Sequence, residues 1–239
     1  MAVYQSRLTE KRKVAEGTME FVLEKPAELS YRAGQFFDII LEKSTPDAEK
    51  STYQHGFSFV SAPYEPYIAA ATRMRANSKF KQALGALPVG APVKIEAVWG
   101  EYVLSRKTEQ PAVFLIGGIG ITPVRSMVAQ STHDASGHKL TLIFSNRRPA
   151  YAPFVDDLKG FAATNSNFKF IQAYDEPSGN AADESGVITA EMVKRHVPDI
   201  FAVRYYLSGP PQMVHAMREL LVKMKIDEED IKTEEFDGY

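Results

Sequence analysis

The chain has 239 residues, 44% of them hydrophobic and 24% charged, with a formal net charge of −2. These are ordinary globular values, and the length accommodates one large or two modest domains. The near-neutral balance argues against nucleic acid or an anionic membrane as partner, and the absence of cysteine excludes disulfides, thiolate chemistry and cysteine-ligated clusters within these residues. No apolar run approaches the roughly 20 residues that span a bilayer. The opening run MAVYQSRLTEKRKV lacks the apolar core of a signal peptide, so a cytoplasmic protein is expected.

Short β-rich runs come first, at residues 4–14, 18–24, 36–41, 57–61, 67–73 and 93–98, separated by turn residues. That spacing predicts an antiparallel barrel or sandwich. One helix interrupts it near residues 79–87, with Asn77 or Ser78 placed to cap its N-terminus. After SRKTEQP, residues 105–111, the pattern changes. The apolar runs AVFLIG, LTLIFS, FKFIQA and RYYLSG now alternate with the helical runs TPVRSMVAQ, APFVDDLKGF, TAEMVKRHV and PPQMVHAMRELLVKM. Such alternation predicts a parallel sheet with helices on both faces. The expected organisation is two domains: an N-terminal antiparallel β-barrel over residues 1–105, then an α/β parallel-sheet nucleotide-binding domain over 112–239.

The second half carries the clearest chemical signal. Its first strand runs into Gly117, Gly118, Ile119, Gly120, Ile121, Thr122 and Pro123, and a helix follows. Glycines there let backbone N–H groups approach an anion, the helix N-terminus adds a favourable dipole, and Pro123 suits a first helical turn. The turn is suited to a pyrophosphate, although its spacing is not G-x-G-x-x-G and no acidic residue is obviously placed for a ribose. The next strand ends in Ser145, Asn146, Arg147 and Arg148, where two arginines suit phosphate and lean towards a 2′-phosphate. A third unit, Ser208, Gly209, Pro210, Pro211, Gln212 and Met213, turns tightly into a helix and sets Ser208 at the mouth of a crevice.

In the first half, QHGFSFVSAP, residues 54–63, reads as a strand with Phe57 and Phe59 on one face and Ser58 on the other. Taken alone, the stretch reads better as barrel core, with Phe57 and Phe59 inside, Ser58 a satisfied strand hydroxyl and His55 a surface turn residue. Together with GGIGITP, LSGPPQM, RAGQFF (residues 32–37), TRMRANSKF (72–80), VGAPVKIEAVWGEYVL (89–104) and the ending EEFDGY, the stretch resembles the ferredoxin–NADP reductase family over essentially the whole chain. QHGFSF occupies the place of that family's R-x-[YF]-S motif.

The resemblance implies that His55, Gly56, Phe57, Ser58, Phe59, Val60 and Ser61 carry a flavin, with Ser58 hydrogen-bonding near N5 and the Phe57 ring along the isoalloxazine or ribityl chain. The second flavin segment is Thr72, Arg73, Met74, Arg75, Asn77 and Ser78. Histidine at position 55 departs from the family's arginine, which puts phosphate affinity in doubt, since imidazole lacks a permanently charged, bidentate donor set. Arg73, Arg75 and a helix start at Ser78 are the candidate compensation. The nucleotide side would comprise Gly117, Gly118, Gly120, Ile121, Thr122, Pro123, Ser145, Arg147, Arg148, Gly209, Pro210 and Met213.

Ser58, Ser208 and Glu234 are the implied catalytic residues, with Glu235 the rival carboxylate. Phe236 or Tyr239 would cover the flavin's other face, and Trp99 packs the domain junction. His133, His138, His196 and His215 lack metal-ligand spacing with carboxylates, so no metal site is expected. The implied activity is hydride transfer from NADPH or NADH to flavin, FAD or else FMN, then electron delivery to a separate ferredoxin-like carrier. Two rivals stand beside it: a reductase of free flavin, and an electron-transfer or regulatory subunit with weakened flavin binding. Oligomeric state is not legible.

Overall fold

The computed structural model describes residues 2–42, 49–176 and 181–236. Six strands build the first sheet: β1 (Ala2–Ala15), β2 (Thr18–Glu24), β3 (Phe36–Ile40), β4 (Gln54–Ser58), β5 (Tyr67–Arg73) and β6 (Pro92–Trp99). A single turn, α1 (Lys50–Tyr53), precedes β4, and α2 (Lys79–Ala86) lies between β5 and β6. The second half continues with β7 (Ala112–Gly117), α3 (Ile121–His133), β8 (Leu140–Asn146), α4 (Val155–Thr164), β9 (Phe168–Tyr174), β10 (Glu184–Ser185), α5 (Ala190–His196), β11 (Arg204–Gly209), α6 (Pro211–Lys223) and β12 (Ile231–Glu235).

The first sheet runs β4-β3-β6-β1-β2-β5, antiparallel throughout. Its curl depends on β1. Residues 2–7 of that strand pair with β6, residues 8–15 pair with β2, and the register slips between Leu8 and Glu10. A slipped register bends a strand and increases its twist, so one long strand can serve two sides of a barrel. The curl brings the two edge strands, β4 and β5, towards each other, where the Val60 N–H donates to the Ala69 carbonyl at 2.8 Å. The barrel therefore carries a seam between β4 and β5. Phe21, Phe37, Phe59, Ile39 and Ile95 fill the interior, and Phe80 and Leu84 of α2 are buried among them.

The strand expected at residues 57–61 lies at Gln54–Ser58. Its ladder with β3 runs from Gln54↔Ile40 to Ser58↔Phe36, and beyond Ser58 the chain leaves that ladder for β5. Ser78 caps α2 as expected, its side chain accepting from the Lys81 N–H.

The second sheet runs β10-β9-β8-β7-β11-β12, with every pair parallel. All six residues of β7 are buried, as expected of a central strand covered on both faces. Chain order moves outward from β7 to β10 and then returns to β11 beside β7, so the winding reverses between those two strands. Val60, Ala69, Ala71 and Tyr102 of the first half share a core with Phe114, Ile116, Met127 and Tyr206 of the second. Among the described residues, no helix is long and apolar enough to cross a membrane.

Candidate functional site

A winding reversal leaves a crevice outside the C-terminal ends of the two strands that flank it. Here the turns after β7 and β11 meet head-on. A Cβ added to Gly120 would lie 2.3 Å from the Ser208 carbonyl oxygen and 2.6 Å from the Gly209 nitrogen, so only glycine fits. Gly118 differs: its φ is +54° and the space beside it is open. A cavity of about 520 Å³ opens there, bordered by Gly117, Gly118, Ser145, Asn146, Arg147, Asp175, Pro210 and Met213, and by Arg73 and Tyr151. Main-chain groups at the head of α3 thus border one side and strand-end side chains another.

The structure separates residues that the sequence grouped together. Ile121, Thr122 and Pro123 are buried in α3, and the Thr122 hydroxyl donates to the Ile119 carbonyl at 3.0 Å, leaving the main chain as their contribution. Arg147 borders the cavity, but its Nε donates to Glu176 Oε1 at 2.7 Å. Arg148 turns the other way. It donates to both Glu16 carboxylate oxygens, at 3.1 and 3.0 Å, and lies 4.4 Å over the Tyr151 ring. Arg73 lies 5.3 Å from the same ring, so Tyr151 joins the two halves through two cations.

Ser208 is enclosed rather than set at an open mouth. It has 0% exposure, its hydroxyl donates to the Gly120 carbonyl at 2.8 Å, and it accepts from Tyr102 Oη at 3.3 Å. Across the sheet, Ser208 pairs with Glu234 and Gly209 with Glu235. Glu235 is exposed, whereas Glu234 turns inward with Oε2 buried and without a partner among the described residues. Burial alone pushes the Glu234 carboxyl up to about 7. Tyr102 is driven far above the ordinary phenol range, first by burial and further by the Glu234 charge. Phe236 donates its N–H to the Gly209 carbonyl at 3.1 Å, which continues the β11–β12 pairing one residue past Glu235. Tyr239 lies outside the described residues.

Along the seam, residues alternate in side. His55, Phe57 and Phe59 face inward. Phe59 is enclosed between Tyr31, at 3.8 Å, and Phe37, at 4.4 Å, with no surface left for a ligand. His55 stacks on Phe57 at 5.0 Å and meets Phe80 at 5.6 Å, and its Nδ1 bonds with the Gly56 carbonyl at 2.9 Å. Ser61 is also fully buried: its Oγ receives the Ala69 N–H at 3.0 Å and its carbonyl receives the Ser126 hydroxyl at 2.7 Å. The Val60 side chain lies in the shared core, and its carbonyl accepts from Arg125 Nη1 at 3.4 Å. Phe59 is therefore spent on the barrel core, and Val60 and Ser61 fasten the seam to the second half instead of offering side chains to a cofactor.

What remains at the seam has an unmet need. Ser58 Oγ is buried with no partner among the described residues, as is Arg75 Nε. Buried polar atoms in folded proteins are nearly always satisfied, so these two call for a partner that the described residues do not supply. Ser58, Phe36 and Trp99 form one row across β4, β3 and β6, and Trp99 Nε1 is a further buried orphan. Trp99 is thus half-buried on the outer face rather than in the core. Gly56 belongs to that face too, where a Cβ would come 3.0 Å from Asp38 Oδ1. Thr72 is buried at the end of β5, Met74 packs against the barrel core, and Asn77 is exposed ahead of the cap.

Lys81 carried no motif to flag it, yet it is buried in the first turn of α2. Its ammonium is pulled below the usual lysine range, first by burial and then by the charge of Arg75. Two cations near a capped helix start form an anion-binding environment. The residues present fit a flavin: an orphaned hydroxyl on an open strand edge, and a cationic helix start for its phosphate. Among the described residues no cluster of three or more His, Asp or Glu is arranged for a metal.

Residues 114–219 match the oxidoreductase NAD-binding domain family. The propane 2-monooxygenase reductase component of Rhodococcus jostii is 26% identical over 204 residues, covering 82% of this chain and 53% of its own length. The flavohemoprotein of Oceanobacillus iheyensis is 24% identical, covering 85% of this chain and 50% of its own. The chain thus spans about half the length of these curated relatives. A Neisseria gonorrhoeae ferredoxin NADP+ reductase with bound FAD and NADP superposes over 98% of both chains with a TM-score of 0.84 at 18% identity. Residues 114–219 are therefore similar to oxidoreductase NAD-binding domains, and the chain shares from end to end the two-domain fold of the ferredoxin NADP+ reductase on which it superposes.

Proposed function

We propose that this chain is an NAD(P)H-dependent flavoprotein reductase that delivers electrons to a separate one-electron carrier. The observation that carries the reading is the cavity at the switch point, which Arg73 of the flavin-side sheet borders together with Gly117, Gly118 and Ser145. One pocket therefore joins the strand that ends in the flavin segment to the turn suited to a dinucleotide. When bound, a flavin, FAD or else FMN, supplies the link between hydride and single-electron chemistry.

The chain's own residues do the rest. Main-chain groups around Gly118 and the head of α3 hold the pyrophosphate. Ser58 offers its unpartnered hydroxyl to the flavin, while Arg75, Lys81 and the Ser78-capped helix hold the phosphate that His55 does not clamp. The Tyr102–Ser208 hydrogen bond fixes the β11 turn, and Glu234 stores a proton close by near neutral pH. The Rhodococcus relative is named as the reductase component of a monooxygenase, which supports a separate acceptor. A cluster-bearing acceptor has to be another chain or another segment, because these 239 residues contain no cysteine.

A reductase of free flavin is the second reading. It is favoured by His55, whose ring is packed against Phe57 and Phe80 instead of forming an arginine clamp. The visible spectrum of the purified chain, recorded anaerobically before and after NADH and NADPH, separates the two. Flavin bands that bleach with nucleotide are expected. A colourless protein that oxidises nucleotide only when flavin is added selects the second reading. If the protein is colourless and inert with FAD, FMN and both nucleotides, the reductase assignment is wrong.

A further inference from the structure

Resting on the reductase reading above, we infer that Arg125 is a positioning residue: its clamp on Glu65 sets where the flavin seam stands relative to the nucleotide turn, and so the gap that hydride crosses. No motif marked this arginine, which lies in the middle of the helical run TPVRSMVAQ.

Arg125 is 8% exposed, and all three of its guanidinium nitrogens are engaged. Nε donates to Asp157 Oδ2 of α4 at 3.0 Å, and Nη2 lies 2.9 Å from the same oxygen. Nη1 crosses into the first half. It donates to Glu65 Oε2 at 2.5 Å and to the Val60 carbonyl at 3.4 Å. The next residue of α3, Ser126, donates to the Ser61 carbonyl at 2.7 Å. Consecutive residues of one helix therefore grip consecutive carbonyls of the chain just beyond Ser58. Glu65 is itself held in place and is only 7% exposed. Its carboxylate accepts from the Ala62 N–H at 2.5 Å and from the Tyr67 hydroxyl at 2.9 Å, so it cannot follow the arginine if α3 moves.

The clamp stands close to both sites. Arg125 lies about 6 Å along α3 from its first residue, where the glycine turn ends. Val60 lies about 7 Å of extended chain beyond the orphaned Ser58 hydroxyl. Adhesion between the halves does not need this ion pair. Val60, Ala69, Ala71 and Tyr102 already share a core with Phe114, Ile116, Met127 and Tyr206. Apolar contact is non-directional, and a buried ion pair adds little stability over apolar residues of the same volume. What a guanidinium fork adds is direction, which a lysine ammonium cannot reproduce. Hydride transfer oxidises the reduced nicotinamide and reduces the flavin by two electrons in one step, so no group of the clamp reacts. Arg125 acts through placement, and a misplacement of about 1 Å between reacting groups costs on the order of 100-fold in rate.

The test uses the full-length protein loaded with FAD, with two variants: Arg125→Lys, and Arg125→Met/Glu65→Gln. The double variant leaves no unpaired charge at the buried end of the clamp, because Asp157 is partly exposed to water. Dissociation constants for FAD and for NAD+ or NADP+, read by calorimetry, are expected to stay within about twofold of wild type. The flavin-reduction rate in stopped flow is expected to fall by about tenfold to 100-fold, and the long-wavelength charge-transfer band of stacked nicotinamide and flavin should weaken with it. A merely structural role would lower Tm and leave the band and the rate of the folded protein unchanged. Wild-type rates in both folded variants overturn the inference and leave the reductase reading standing. So does a loss of cofactor binding in proportion to the loss of rate, or failure of both variants to fold, since Arg125 then holds the halves together and does not set their spacing. A wild-type protein whose flavin neither NADH nor NADPH reduces overturns both.

Discussion

At the winding reversal of the second sheet the turns after β7 and β11 meet main chain against main chain, whereas the barrel seam is built from side chains. The first arrangement tolerates almost nothing: Gly120 has backbone on the far side at 2.3 Å, and backbone cannot rotate away. The second accepts substitution. At position 55 an imidazole is accommodated by packing on Phe57 and Phe80. A surface made of peptide groups depends on closeness, so its sequence signature is the absence of side chains. A surface made of side chains depends on chemistry, which several neighbours can supply.

The sharpest way to break this contrast is Gly120→Ala. Overpacking against immovable backbone is expected to cost about 3 kcal/mol or more and to abolish nucleotide binding, measured by denaturant unfolding and calorimetry. Gly118→Ala is the control. Its neighbourhood is open, so only the left-handed backbone is penalised, at about 1 kcal/mol. Equal losses for the two variants would show that steric closeness is not what builds the turn.

On the seam, His55→Arg is expected to tighten flavin binding by about 2 kcal/mol, roughly thirtyfold, through a charge-assisted bond to the phosphate. An unchanged dissociation constant would mean that Arg75, Lys81 and the helix start already saturate that group. Ser58→Ala removes an atom that makes no bond within the described residues, so folding stability should hold. The rate of flavin reduction in stopped flow is expected to fall about tenfold, the equivalent of one modest hydrogen bond. A rate that does not move removes Ser58 from the mechanism.

Glu234→Gln gives the smallest effect and the most specific signature. The folded-state carboxyl titrates near 7, above its ordinary 4.5, because burial disfavours the charged form. The folded chain therefore binds more protons than the unfolded chain between these values, and stability falls as pH rises through that window. The glutamine variant should lack this decline and gain about 1 kcal/mol relative to wild type at pH 8, after allowance for solvent screening. Parallel stability curves from pH 5 to pH 8 would place Glu234 in water.

Several site features were legible because they act locally. Gly117, Gly118 and Gly120 between an apolar strand and a helix announce a close approach by sterics alone, and Ser78 announces a cap because its partner, Lys81, is three residues away. The rest depends on partners remote in the chain. Ser208 reads as a crevice residue until Tyr102, 106 positions earlier, is found bonded to it. Arg148 reads as a phosphate ligand until Glu16, 132 positions away, claims it. Ser61 and Phe59 sit beside a flavin motif and yet are consumed by Ala69, Ser126, Tyr31 and Phe37.

Periodicity and turn chemistry thus determined the antiparallel first sheet, the parallel second sheet and the glycine-built turn, since each follows from backbone sterics and side-chain alternation within about ten residues. Tertiary structure alone decided which side chains remain available to a ligand. Ser58, Asn146 and Glu234 carry polar atoms left unpartnered among the described residues, while Arg147 is engaged by Glu176 and Arg148 by Glu16. The physical reason is that availability is what remains after every donor and acceptor has been matched across the fold, and that matching is set by contacts between distant parts of the chain.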